Sequence, residues 1–251
     1  MRALRATAAA ILVAIVVWSA ASVAGLIKSA HPEYTNWSLQ NAILRSARKL
    51  SGNWTAFGMV DAGKALTVPA DTTKPTLTGF SPADKTLVRG TVTLTAYATD
   101  AVSGVRSADL YVDGKWTAND VTSPYQLKYN TAGRNGTIPM QVRISDRAGN
   151  ITLINRNLIA DNVLPAVSIT SAPANNAKVS GKVTIKATAS DANGVNRLEL
   201  IINGKVIQTD KTSPYSFVIT ASKQPKTMKV QVRAIDAAGN IRYAPTRNWT
   251  R

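Results

Sequence analysis

Val179-Ser-Gly-Lys-Val-Thr-Ile-Lys-Ala187 and Val88-Arg-Gly-Thr-Val-Thr-Leu-Thr-Ala96 are two versions of one pattern, 91 residues apart. In the later version Val183, Ile185 and Ala187 alternate with lysine and threonine. Alternation with a period of two is typical of a β-strand with one buried side and one solvent-facing side. Two copies at a fixed spacing indicate a tandem repeat of one β-module.

The repeat continues on the C-terminal side of both segments. The matching pairs are Ser103-Gly-Val105 with Asn193-Gly-Val195, Asp113-Gly-Lys115 with Asn203-Gly-Lys205, Thr122-Ser-Pro-Tyr125 with Thr212-Ser-Pro-Tyr215, and Asp146-Arg-Ala-Gly-Asn150 with Asp236-Ala-Ala-Gly-Asn240. The Asp-Gly and Asn-Gly pairs predict hairpin turns, because both central residues of such turns take positive φ. About seven short strands in roughly 85 residues predict a two-sheet sandwich for each copy.

These motifs resemble bacterial immunoglobulin-like domains, which are attached to many secreted hydrolases and adhesins. The predicted fold class is mainly β, with two tandem immunoglobulin-like β-sandwiches over residues 79–163 and 164–251. A short helical N-terminal segment and a Pro- and Thr-rich linker at residues 67–78 precede them. The chain has no cysteine, so a hydrophobic core must hold each sandwich without disulfides, and zinc–thiolate sites are excluded.

The N-terminus has the three parts of a secretory signal. A basic start, Met1-Arg-Ala-Leu-Arg5, precedes an apolar run from Ala6 to Val17 and small residues up to Ala24. We therefore predict that residues 1–24 direct the protein to the cell surface or the medium. Two alternatives stay open: the apolar stretch up to Ile27 is also long enough to remain as a membrane anchor, or it is a buried helix of a truncated larger domain.

Residues 25–66 form a helical segment with a different pattern. The ending Leu26-Ile27 leads to a His31-Pro32 turn, after which Thr35 or Asn36 caps a second helix. That helix is predicted to carry an apolar stripe and to stop at Gly52 and Asn53; the stripe is Leu39, Ala42, Ile43, Ala47 and Leu50. Together with Phe57-Gly-Met-Val-Asp-Ala62, these motifs resemble the C-terminal end of subtilisin-like serine proteases (subtilases).

The catalytic motifs of subtilases are missing. Alignment backward from His31-Pro32 places Ala14 where the family has its nucleophilic serine, and no Gly-Thr-Ser motif is present. His31, the only histidine, matches the structural turn and not the catalytic base. Acyl transfer needs a nucleophile, a base and a group that orients the base. We therefore predict no enzymatic activity and no cofactor. The alternative is the C-terminal part of a secreted subtilisin-like serine endopeptidase whose catalytic portion is missing from this chain.

The formal charge is +16, and residues 165–251 hold thirteen basic and four acidic side chains. Such a charge favours an anionic partner: a cell-surface polymer, a polysaccharide, or, as a less favoured choice, nucleic acid. A protein substrate is a further candidate partner. Four outward positions form a candidate anionic-ligand surface: Lys182, Lys186, Lys229 and Arg233. The repeat pattern predicts that they lie on different sheets. The simpler alternative is that they form a solvated face without a ligand.

Two further groups of residues are candidates for ligand contacts. Asp100, Asp146, Asp191 and Asp236 recur at the same places in both copies, so calcium is a candidate ligand, although Asp beside Gly more often caps a turn. Trp116 follows the first hairpin turn, where it either stacks on a sugar ring or packs on its own sandwich. The predicted function is a non-catalytic extracellular binding or spacer module attached to a subtilase-like remnant.

Overall fold

The computed structural model describes residues 21–48 and 58–251. Most of the signal or anchor predicted for residues 1–24 lies outside this part, as do Leu50, Gly52 and Asn53. The first described element, α1, is helical over residues 21–30. In the described part of the chain, no helix has both the length and the apolar character needed to span a bilayer.

The helical segment forms a small core of its own. Helix α2 (Asn36–Ser46) begins where the side chain of Thr35 accepts a hydrogen bond from the Ser38 N–H, so Thr35 is the cap. Helix α3 (Ala62–Ala65) is capped by Asp61. Helix α2 ends at Ser46, earlier than predicted. The buried apolar side chains of this segment are Ile27, Tyr34, Ala42 and Ala65, with Leu39 and Ile43 packed against them.

The first sandwich has eight strands in two sheets. They are β1 (Thr76–Ser81), β2 (Leu87–Val88), β3 (Thr91–Thr99), β4 (Val105–Val112), β5 (Lys115–Asp120), β6 (Tyr125–Asn130), β7 (Gly136–Asp146) and β8 (Ile151–Ala160). One sheet has the order β1-β3-β6 and the other β2-β8-β7-β4-β5. All pairs are antiparallel except β2 with β8. Strand β1 begins inside the segment predicted to be linker.

The second sandwich repeats this plan. Its strands are β9 (Ala166–Ser171), β10 (Lys182–Ser190), β11 (Val195–Ile202), β12 (Lys205–Asp210), β13 (Tyr215–Thr220), β14 (Thr227–Asp236), β15 (Ile241–Tyr243) and β16 (Arg247–Thr250). One sheet has the order β9-β10-β13; in the other, β12 pairs with β11, β11 with β14, and β14 with both β15 and β16. The predicted fold class is confirmed.

Each sandwich encloses its own hydrophobic core. The alternation in β10 places Val183, Ile185 and Ala187 inside, where Phe217 and Trp249 are also fully buried. The hairpin turns form as predicted, since Asp113 and Asn203 have φ of 50° and 51° and a glycine follows each. The inner residues of both copies therefore alternate with the outer residues, and the outer residues remain available for contacts.

Candidate metal centres at the module entrances

Three aspartates meet where the chain enters the first sandwich. Asp71 precedes β1, Asp100 follows β3, and Asp146 ends β7 opposite Val105. Asp100 Oδ1 accepts the backbone N–H groups of residues 102, 103 and 104, and Asp146 Oδ1 accepts those of residues 149 and 150. The expected turn-capping role of Asp100 and Asp146 is therefore real, but in Asp100 it occupies only one of the two carboxylate oxygens.

The carboxylates lie close together and are largely withdrawn from water. Each contributes one oxygen to a group in which all oxygens lie within 4.8 Å of one another. Asp146 is fully buried and Asp71 is 8% exposed. Oδ2 of Asp71 and Oδ2 of Asp100 are buried without a hydrogen-bond donor. At 4.8 Å two like charges repel by about 3 kcal/mol with an effective dielectric constant near 20.

The second sandwich has the same arrangement at its entrance. Asp161, Asp191 and Asp236 bring one oxygen each within 4.8 Å of the others. Asp161 and Asp236 are each 1% exposed, and Asp161 Oδ2 is buried without a donor. Asp191 Oδ1 accepts the N–H of Asn193, and Asp236 Oδ1 accepts the N–H of Asn240.

An asparagine amide fixes the entering chain at both places. Asn150 Nδ2 donates to the carbonyl oxygen of Asp71 at 3.0 Å and to Asp146 Oδ2 at 2.8 Å. Asn240 Nδ2 donates in the same way to the Asp161 carbonyl oxygen and to Asp236 Oδ2, both at 2.9 Å. The segment before each sandwich is therefore attached to the turn that ends β7 or β14.

Asp71 and Asp161 were missed by the sequence reasoning. A signal for them exists, because Asp71 stands four residues before Pro75 and Asp161 four residues before Pro165, with the same 90-residue spacing as the rest of the repeat. Asp71 lies in the predicted linker, and Asp161 lies three residues before the predicted start of the second sandwich. Neither position belongs to the strand pattern on which the prediction relied.

The outer face of the first sandwich carries exposed aromatic and polar side chains. Trp116 on β5 is 60% exposed, and its Nε1 donates to Asp109 Oδ1 at 3.3 Å. Its strand partner is Tyr111, over whose ring the Arg143 guanidinium lies at 4.0 Å. A depression of about 400 Å³ adjoins Tyr111 and is lined also by Gln141, Arg143, Asn155 and Arg156.

The four predicted basic positions fall on different sheets, as expected. Lys182 and Lys186 lie on β10, whereas Lys229 and Arg233 lie on β14. Arg233 is already paired, since its Nη2 lies 2.6 Å from Glu199 Oε2 and its Nη1 donates to the Tyr243 hydroxyl. Anion binding by the three lysines stays a prediction.

Glu199 is the buried acid of this outer face. It lies between Arg197 and Arg233 and is 5% exposed. Burial acts to raise the pKa of Glu199, but the hydrogen bonds from the two arginines outweigh it, so the pKa lies below its ordinary value. This network occupies two cations of the second sandwich, Arg197 and Arg233.

Two sandwiches in series, each with a three-stranded and a five-stranded sheet, define a tandem immunoglobulin-like protein. The family model described as "Bacterial Ig domain" matches residues 75–152 and 165–232. These matches span more than half of the chain, so the chain belongs to the bacterial Ig domain family. No curated protein matches the sequence.

Solved structures of other proteins are similar to the tandem. The fibronectin(III)-like modules of Clostridium thermocellum CbhA align with a TM-score of 0.48 and 20% identity, over 70% of this chain and 91% of theirs. A Bacteroides ovatus protein, SGBP-B of a mixed-linkage glucan utilization locus, was solved with a mixed-linkage heptasaccharide. It aligns with a TM-score of 0.30 and 13% identity, over 71% of this chain and 48% of that one.

Proposed function

We propose that the chain is a non-catalytic, extracellular binding and spacer module whose first sandwich binds an acidic polysaccharide. The observation that carries the proposal is the exposed ring of Trp116, whose strand partner Tyr111 has the Arg143 guanidinium over its own ring. A large aromatic side chain left in water offers a flat apolar surface on which a sugar ring stacks. The Arg143 guanidinium over the Tyr111 ring suits a carboxylate on the sugar.

The second sandwich supplies a natural comparison for this face. Ile201 and Val206 pair across β11 and β12 where Tyr111 and Trp116 pair across β4 and β5. The aromatic pair is therefore specific to the first sandwich. In this proposal the first sandwich binds the ligand, and the second acts as a spacer.

The absence of catalysis is part of the proposal, and the surroundings of His31 support it. His31 Nε2 lies 3.0 Å from the Leu66 carbonyl oxygen, its ring stacks on Tyr34, and its Nδ1 lies 3.3 Å from Glu33. These contacts connect the His-Pro turn to the end of the helical segment, which is a structural role. A covalent adduct between the folded chain and a serine-directed fluorophosphonate probe, lost on unfolding, would show that a nucleophile is present.

The binding proposal is tested by affinity electrophoresis of the full chain in gels that contain an acidic polysaccharide, a neutral one, or DNA. We expect retardation by the acidic polysaccharide, and at least about a tenfold weaker interaction for Trp116→Val, which introduces the residue of the second sandwich. The matched control, Val206→Ala on the same strand position of the second sandwich, is expected to bind like the wild type.

Salt separates stacking from a general attraction of charges. Binding that depends on stacking persists partly at 0.5 M NaCl, whereas binding by net charge alone falls steeply with salt. Unchanged retardation of the Trp116→Val variant, or retention on DNA alone that vanishes with salt, would contradict the proposal.

A further inference from the structure

We infer that the two aspartate clusters are Ca²⁺ sites, one at the entrance of each sandwich, and that the ions stiffen the two junctions. The inference does not depend on the polysaccharide face. Each cluster joins three separate segments of the chain. They are the segment that enters the sandwich, the turn after β3 or β10, and the turn at the end of β7 or β14. The same set of three occurs at the entrance of both copies.

The buried oxygens without donors point to a bound cation. Asp161 is 99% buried and Asp71 is 92% buried, yet Oδ2 of each has no hydrogen-bond donor. A buried carboxylate oxygen is normally hydrogen-bonded, paired with a charge or bound to a metal. Among the ion pairs of the described residues, none includes a member of either cluster. Three like charges are thus gathered without a counter-charge from the protein.

The chemistry of the donors selects a hard cation. All six side chains are carboxylates, which suit Ca²⁺, Mg²⁺ or Mn²⁺ and not the softer metals that prefer sulfur or imidazole. Two oxygens bound to one Ca²⁺ at about 2.3–2.6 Å are at most about 5 Å apart, and the oxygens of each cluster lie within 4.8 Å. Ca²⁺ accepts irregular sets of carboxylates completed by water, whereas Mg²⁺ requires near-octahedral geometry.

The position of the clusters gives the ion a mechanical role. Asp71 and Asp161 precede the first strand of each sandwich, and their carbonyl oxygens are already bonded to Asn150 and Asn240. The preceding unit contacts the same turn. A methyl group added at Gly149 would lie 3.6 Å from Thr35, and one added at Gly239 would lie 3.3 Å from Arg89. An ion here fixes the entering chain at the point where neighbouring units meet.

Isothermal titration calorimetry of the full chain with CaCl₂ tests the inference, after removal of metal by a chelator. We expect two Ca²⁺ per chain with dissociation constants on the order of 10⁻⁴ M, and at least about tenfold weaker binding of Mg²⁺. Asp71→Asn and Asp161→Asn are each expected to remove one site and to leave the other unchanged. Asp113→Asn is the matched control, because it removes one charge where the second sandwich naturally has Asn203.

Circular dichroism shows whether each variant is folded, and Asp191→Asn replaces Asp161→Asn if the latter fails to fold. Two results would overturn the inference: no heat of binding up to 5 mM Ca²⁺, or a stoichiometry of two that survives both Asp71→Asn and Asp161→Asn. Equal affinity for Mg²⁺ would overturn the assignment to Ca²⁺.

Discussion

Replacing Asp161 with asparagine is expected to change the stability of the second sandwich in opposite directions with and without Ca²⁺. Asparagine keeps the shape of the side chain and the Oδ1 acceptor that receives the Val163 N–H. It removes one of three negative charges whose oxygens lie within 4.8 Å of one another. Without the ion that charge is a source of repulsion, and with the ion it is a ligand.

The size of each effect follows from the geometry. At 4.8 Å and an effective dielectric constant near 20, Asp161 is repelled by about 3 kcal/mol from each of its two neighbours. Backbone N–H groups that donate to those neighbours, together with water and salt, offset much of this repulsion. In a chelator we therefore expect Asp161→Asn to raise the free energy of unfolding by about 1–2 kcal/mol. At 100 times the dissociation constant, Ca²⁺ adds about 2.7 kcal/mol to the second sandwich of the wild type and little to the second sandwich of the variant.

Urea unfolding followed by circular dichroism, once in EDTA and once in 10 mM CaCl₂, measures both free energies. The order of stability of the wild type and Asp161→Asn is expected to reverse between the two conditions. The difference in stability between the wild type and Asp113→Asn is expected to keep the same sign in both. If Asp161→Asn is less stable than the wild type by the same amount in both conditions, Asp161 is only a turn cap, and the electrostatic reasoning fails.

Two further predictions concern the second sandwich. Phe217→Ala is expected to lower the free energy of unfolding by about 3–5 kcal/mol, because a fully buried ring leaves a cavity, and urea unfolding at pH 7 measures the loss. Glu199 has a folded pKa below the ordinary 4.5, so its stabilising contribution is present above about pH 4.5 and is lost as the pH falls through the folded value. Thermal unfolding between pH 2 and 7 should show a flatter acid limb for Glu199→Gln, and an unchanged limb would contradict this account.

The sandwich fold was predictable because its signals are local. The alternation in β10 determines which side chains enter the core, and the Asp-Gly and Asn-Gly turns adopt the positive φ that these residue types tolerate. The cap at Thr35 followed from the same kind of local rule. The end of α2 was not predicted by the apolar stripe, which continues past Ser46. Ala47 is extended, and the backbone of Arg48 pairs with that of Met59, a non-local contact that periodicity does not reveal.

The entrance clusters needed the three-dimensional structure. Asp100 and Asp146 are 46 positions apart and come together because β4 pairs with β7, which places Val105 opposite Asp146. Such a contact depends on strand order, which periodicity does not reveal. Asp71 joins them through a segment without regular structure, where no strand or helix rule applies. The repeat itself was the usable signal, since Asp-x-x-x-Pro recurs with the spacing of the strands.

The two copies are alike at their entrances and different on their outer faces, and this contrast separates two roles. Tyr111 and Trp116 of the first copy correspond to Ile201 and Val206 of the second, so a ligand that needs the aromatic pair distinguishes the copies. The aspartate clusters and their asparagine contacts are the same in both, so whatever binds there acts on each junction alike. This contrast is the reason for proposing that recognition belongs to one face of the first sandwich. We assign the positioning of neighbouring units instead to the aspartate cluster at the entrance of each sandwich.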